Sequence, residues 1–195
     1  MFWEYTFQIR SLDISVGVTK MFLKAQLQWN VVVPAEKLDK GLSLKKEIVV
    51  RLLDTFAATK ATSSLGYLLA VTTLENLEKG KVKRDTSGDV VFPVTFSCMT
   101  YKIFVGEIVE AEVHKILKQG VFLRCGPVEN IFLSRYKMKG YKFVAGENAI
   151  FVSEESGKIE KGMKLRVEVI SVKYMEVEKE FQALANLNGD FLGPI

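Results

Sequence analysis

The chain holds a single histidine, His114, and only two cysteines, Cys98 and Cys125, among its 195 residues. Two thiols cannot build a disulfide framework, and neither has a second Cys or His at zinc-ligand spacing. Both fall in strand-like runs, so buried free thiols are expected, and with them a reducing compartment such as cytosol or nucleus. With four prolines and no long polar tract, an extended linker is excluded. No apolar run approaches the ~20 residues that span a bilayer. Val31 to Val33 and Ile48 to Leu53 are short and bounded by charge, which predicts a soluble chain with no membrane partner. The start of the chain lacks a basic segment followed by an apolar core and a small-residue cleavage site, so no secretory signal is expected.

Catalytic signatures are scarce too. There is no glycine-rich phosphate loop, no Gly-x-Ser-x-Gly elbow and no Cys–His arrangement. His114 alternates with Val113 in a strand-like run and reads as a strand-face histidine beside lysines, not as a general base. Glu110 and Glu112, with Glu107 nearby, share a face as solvated charges do. The expectation is a binding protein with no catalytic residue, no metal and no cofactor.

What is present is an ordinary globular composition, 48% hydrophobic and 26% charged. The net charge of +4 conceals an uneven distribution. Residues 103–195 carry 13 basic and 13 acidic side chains, yet residues 114–142 hold seven basic ones against Glu129 alone. Such a module can attract phosphates on one face and a basic partner on another.

Periodicity divides the chain. Tyr5 to Ile9 alternates and predicts a strand, as does Phe22 to Val33, which ends at Pro34. Leu44, Ile48, Leu52 and Phe56 then recur at four-residue spacing, predicting an amphipathic helix from about Pro34 or Leu42 to Ala61. Further strands are expected at Gly66 to Val71, near Gly80, and at Asp89 to Tyr101 after a turn at Asp85-Thr86-Ser87-Gly88; Pro93 suggests an edge or a bulge. Strands around one helix make an α+β first unit. From Lys102 on the pattern is all β. Strands are expected at Val105 to Leu117, Gly120 to Cys125, Val128 to Leu133, Ala149 to Ser153, Met163 to Tyr174 and Phe181 to Leu187. Five or six short strands with glycine at the bends suit a small closed barrel better than a sandwich.

Within that barrel, side-chain alternation puts Phe122 and Arg124 on one face of a short strand. Phe132 and Tyr136 follow, interleaved with Arg135, Lys137 and Lys139. Aromatic platforms beside cations are what single-stranded RNA requires: bases stack on the rings while the cations track the backbone. The pattern leaves a second reading open for Phe122 and Phe132, since a small barrel also needs aromatic side chains inside.

The stretch Val105-Gly106-Glu107-Ile108-Val109 and the run from Val113 to Pro127 resemble the start of an S1 motif. They are similar to the version in the seventh subunit of nuclear DNA-directed RNA polymerases, closest to the plant polymerase IV and V branch. Leu65-Gly66-Tyr67-Leu68-Leu69-Ala70-Val71 resembles that family's N-terminal tip segment. Pro34 to Asp39 with the following helix fits the plant branch, and Gly189 to Ile195 resembles the family's C-terminal ending. Colinear over residues 21–195, the resemblance implies an α+β, RNP-like tip domain over residues 21–102, an antiparallel sheet with one main helix. An S1-type OB-fold barrel over residues 103–195 follows it. Met21-Phe22-Leu23 matches the family's start, leaving residues 1–20 as an N-terminal extension.

The family implies a nuclear, non-catalytic stalk subunit. Such a subunit docks on the largest polymerase subunit and the core, pairs with the fourth-subunit homologue, and meets emerging single-stranded RNA. Carried over by position, Gly66 and Tyr67 fall in the core-docking segment. The RNA-binding face comprises Lys115, Lys118, Phe122, Arg124, Phe132, Arg135 and Lys137. One departure bears on affinity: Ile131-Phe132-Leu133-Ser134 stands where free-standing S1 domains have Gly-Leu-Val-His, which predicts a modest RNA contact.

Overall fold

Strict alternation from Phe22 to Val33 folds into a strand of that span, with Leu23, Ala25, Leu27, Trp29, Val31 and Val33 all buried on one side. The computed structural model describes residues 8–13, 21–38, 42–84, 87–146, 149–154 and 157–195. It divides into two units, Met1–Lys102 and Ile103–Ile195.

The first unit contains β1 (Gln8–Asp13), β2 (Phe22–Val33), α1 (Leu42–Ala58), β3 (Ala61–Thr62), β4 (Gly66–Leu77), β5 (Lys81–Val82) and β6 (Val90–Tyr101). The sheet order is β1-β2-β6-β4-β3, with β5 also paired to β6, and every pairing is antiparallel. Helix α1 lays Ile48, Leu52 and Phe56 on the buried face of this sheet, as its four-residue spacing predicts. There Trp29 meets Phe56 and Phe96 at ring-centroid distances of 5.8 and 5.2 Å. Each large side chain buried this way contributes about 1.5–3 kcal/mol. The helix stops three residues before the expected Ala61, where the Thr62 hydroxyl accepts the Leu65 N–H at 3.2 Å and starts the turn into β4.

Two expectations for this unit change. Strand β4 runs to Leu77 instead of ending near Val71, because three register shifts against β6 break the two-residue period that marks a strand in sequence. Pro93 lies in neither an edge strand nor a bulge, since β6 is flanked by β2 on one side and by β4 and β5 on the other. It sits where β4 pairing has ended at Val94 and β5 pairing begins at Val91, and its carbonyl accepts the Glu78 N–H. N and O of one strand residue point the same way, so the missing proline N–H costs β2 no ladder bond. Tyr5 to Phe7, and Asp85 and Thr86 of the expected turn, lie outside the described residues.

The second unit contains β7 (Ile108–Leu117), β8 (Gly120–Cys125), β9 (Val128–Ser134), β10 (Lys142–Val144), β11 (Ile150–Ser153), β12 (Gly157–Ile159), β13 (Lys164–Met175), β14 (Glu180–Asn186) and β15 (Gly193–Pro194). Strands β14-β9-β8-β7-β13 form a sheet that closes through β13–β14 pairing, with β9 and β14 parallel. Five strands closed in this order match the OB-fold. Val109, Val113, Leu123, Ile131, Leu133 and Val167 fill the interior, all at 1% exposure or less. The stretch expected as a barrel strand around residues 149–153 behaves differently. Strand β11 leaves the barrel to become the centre of a separate sheet, β10-β11-β12, in which Phe151 is buried and packs on Phe143 at 5.4 Å.

Candidate nucleic-acid interface

Barrel geometry decides the open question about the aromatic residues. Their neighbours Val121, Leu123, Ile131 and Leu133 point inward and are fully buried, so Phe122 and Phe132 stand on the outer face, each half-buried. They are cross-strand partners with ring centroids 5.0 Å apart. Register extends the row in both directions: Lys115 on β7 lies opposite Phe122, and Leu184 on β14, 46% exposed, lies opposite Phe132. Four neighbouring strands thus present one row of Lys, Phe, Phe and Leu to solvent, with about 5 Å between strands. Gly120 makes room for it. With φ +155, it sits where a Cβ would press on the Leu133 carbonyl and come within 3.0 Å of the Phe132 ring.

His114 flanks the row. A register shift between Val113 and Lys115 leaves it in a bulge, its ring 6.2 Å from Phe122 and its Nε2 3.1 Å from the Glu129 carbonyl. A carbonyl only accepts, so Nε2 carries the proton in that contact. The histidine is tied to β9 and shields one edge of Phe122, a structural role in keeping with its strand-face reading.

The cations divide into two groups. The Arg124 guanidinium donates to Glu112 at 3.1 Å across β7 and β8, and Arg166 pairs likewise with Glu110 at 2.9 Å. These exposed pairs are worth about 0–1 kcal/mol each. Arg124 therefore shares the Phe122 face, as alternation predicts, but is balanced by a neighbouring carboxylate. By contrast, Lys115, Lys118, Arg135 and Lys137 are exposed and make no ion pair among the described residues. Lys118 stands in the β7–β8 turn, and Arg135 and Lys137 in a 3-10 turn after β9. The Arg135 N–H donates to the Gln119 carbonyl at 2.9 Å, which draws the two turns together at one end of the row. Tyr136, 83% exposed, lies beneath the Arg135 guanidinium, 5.7 Å from its ring centroid. A groove of about 1010 Å³ continues from the other flank, lined by Glu112, His114, Lys115, Arg124, Glu160 and Lys161.

Leu184 is the member of the row that sequence reasoning missed. It sits in an apolar run, Phe181 to Leu187, whose alternation against Gln182 is too weak to separate inside from outside.

Gly66 and Tyr67 are both buried in the first unit. Gly66 has φ +83, and a Cβ there would overlap the Tyr101 carbonyl oxygen and crowd Lys102 Cβ at 2.7 Å. The close approach it permits is to the chain's own β6. Tyr67 is 4% exposed, opposite Tyr101. Within the first unit these two residues pack against β6 and its end; core docking by their segment stays a proposal. Leu69, Leu74 and Met99 are the exposed large apolar side chains of β4 and β6.

Comparison with known proteins settles the family. Over 176 residues, 90% of this chain and 98% of the relative, the sequence is 57% identical to "DNA-directed RNA polymerase V subunit 7" of Arabidopsis thaliana. The chain belongs to the seventh-subunit family of DNA-directed RNA polymerases. It is 48% identical to "DNA-directed RNA polymerase IV subunit 7" of the same plant, over 89% of this chain and 99% of that protein. Against "DNA-directed RNA polymerase II subunit RPB7" of Glycine max, identity is 33% over 80% of this chain and 86% of the relative. No family model matches the chain. Higher identity to the polymerase V and IV subunits than to the polymerase II subunit agrees with the plant-branch resemblance of Pro34 to Asp39.

Proposed function

We propose that this polymerase subunit works as a nuclear stalk component of a polymerase IV or V type enzyme, without catalytic chemistry of its own. Its first unit serves as the tip that docks on the largest subunit and core, and it pairs with a fourth-subunit homologue. Its barrel offers nascent single-stranded RNA a shallow contact. The observation that carries the reading is the 57% identity to a polymerase V seventh subunit across 98% of that protein. The outward-facing, half-buried Phe122–Phe132 pair and the four exposed cations around it, which make no ion pair among the described residues, support the RNA part.

The physics suits a modest contact. Two bases stacked on Phe122 and Phe132 would gain about 1–3 kcal/mol each, and each phosphate neutralised adds about 0.7 to the salt slope. Free RNA would bind weakly on those terms. A transcript held by the same polymerase is present at an effective concentration in the ~mM range, where weak contacts fill. Crosslinking nascent RNA to the assembled polymerase tests this. Adducts on peptides spanning residues 115–137 are expected; adducts confined to other subunits or to the first unit overturn the RNA assignment.

A further inference from the structure

The two sides of the aromatic row on the barrel differ. On one side lie the β7–β8 turn with Lys118 and the 3-10 turn with Arg135 and Lys137. On the other side three strands carry a polar side chain one same-face step from the row, about 6.6 Å along the strand. Arg124 takes that step on β8, Asn130 on β9 and Gln182 on β14. Register sets Gln182 opposite Asn130, and Lys173 of β13 opposite Gln182.

Asn130 differs from its neighbours. Arg124 is balanced by Glu112, and Gln182 and Lys173 are exposed. The half-buried Asn130 is instead held in one orientation, because its Nδ2 donates to Glu180 Oε2 at 3.1 Å. A carboxylate accepts, so this contact fixes which end of the amide is nitrogen. The carbonyl Oδ1 is the end turned away from Glu180, and it makes no hydrogen bond among the described residues.

This arrangement orients a bound strand. Phosphates are drawn to Lys118, Arg135 and Lys137, while Glu180 repels them from the opposite side. A nucleotide stacked on Phe132 thus lays its backbone toward the turns and its base edge over Asn130. Unpaired RNA bases are read on that Watson–Crick edge. Oδ1 only accepts: it takes the amino group at N4 of cytosine or N6 of adenine, and it faces the O4 carbonyl of uracil with like partial charge.

We propose that Asn130, positioned by Glu180, is a specificity-determining residue that selects single-stranded RNA with cytosine or adenine over Phe132 in preference to uracil. The inference rests on the stacking contact proposed above and adds a base preference to it.

Fluorescence anisotropy of the full chain at neutral pH tests it, with labelled oligocytidine, oligouridine and N4-dimethylated oligocytidine of one length. Oligocytidine should bind about 3- to 10-fold more tightly than oligouridine, the size of one net hydrogen bond. Dimethylation at N4 should remove that advantage with the protein unaltered. Asn130→Ala and Glu180→Ala, checked for folding by thermal unfolding, should lose the preference while binding oligouridine at least as tightly as the unaltered chain. Equal binding of oligocytidine and oligouridine, or a preference that persists in folded Asn130→Ala, overturns the base reading. If Phe132→Ala then still weakens both RNAs, stacking stands; if it weakens neither, the stacking contact has failed as well.

Discussion

Truncating Phe122 to alanine separates three accounts of the barrel face at once. The ring lies outside the barrel, half-buried against Phe132 at 5.0 Å and near His114 at 6.2 Å. Its removal should therefore cost stability only the aromatic contacts, about 0.5–1.5 kcal/mol, whereas a barrel-core phenylalanine would cost about 3–5 kcal/mol. If a base stacks on it, RNA binding should weaken by about 1–3 kcal/mol, a Kd increase of roughly 5- to 150-fold. Anisotropy with a labelled single-stranded oligoribonucleotide at several salt concentrations measures the binding, and thermal unfolding measures the stability. Phe122→Ala should leave the salt slope unchanged, because no phosphate contact is removed. Lys118→Ala and Arg135→Ala should each flatten the slope by about 0.7. Arg124→Ala should flatten it less, since Arg124 must first leave Glu112. Unchanged affinity in a folded Phe122→Ala protein would falsify the stacking role, and a stability loss above ~3 kcal/mol would return the ring to the core.

Other consequences follow from the first unit. Gly66→Ala combines a left-handed backbone with overlap on the Tyr101 carbonyl, so a loss of about 2–5 kcal/mol is expected, seen as a melting temperature lower by roughly 10 °C or more. A wild-type melting temperature would show that the approach to β6 is loose. The Thr100 hydroxyl is fully buried and has no hydrogen-bond partner among the described residues, so Thr100→Val should be neutral or stabilising in denaturant unfolding. A loss above ~1 kcal/mol would mean the hydroxyl is satisfied. Burial pushes the Cys98 thiol up to about 11, so it should resist alkylation at neutral pH in the native protein and react only after unfolding.

Sequence pattern was most informative where one face of an element is dry and the other wet. Phe22 to Val33 and α1 follow their periods because the same core cluster claims one side of each. Where backbone geometry breaks the period, the pattern misleads: the bulges of β4 hid its second half, and β11 reads as a barrel strand though it belongs to another sheet. The candidate site was legible in residue type but not in direction. Phe122 and Phe132 carry the same letters whether they face in or out, and closure of the barrel, a non-local property, decides it. Gly66 showed a need for close approach, but not that the approaching group was Tyr101 of its own chain. The Arg124–Glu112 pair was hidden for a similar reason, since it depends on β7–β8 register.

The central claim is membership of a working polymerase, and the composition of the complex purified through a tag on this chain tests it most directly. Mass spectrometry should recover the largest polymerase IV or V subunit and a fourth-subunit homologue in near-equal amounts with the tagged chain. Recovery of the chain without large polymerase subunits or a fourth-subunit homologue would contradict the account.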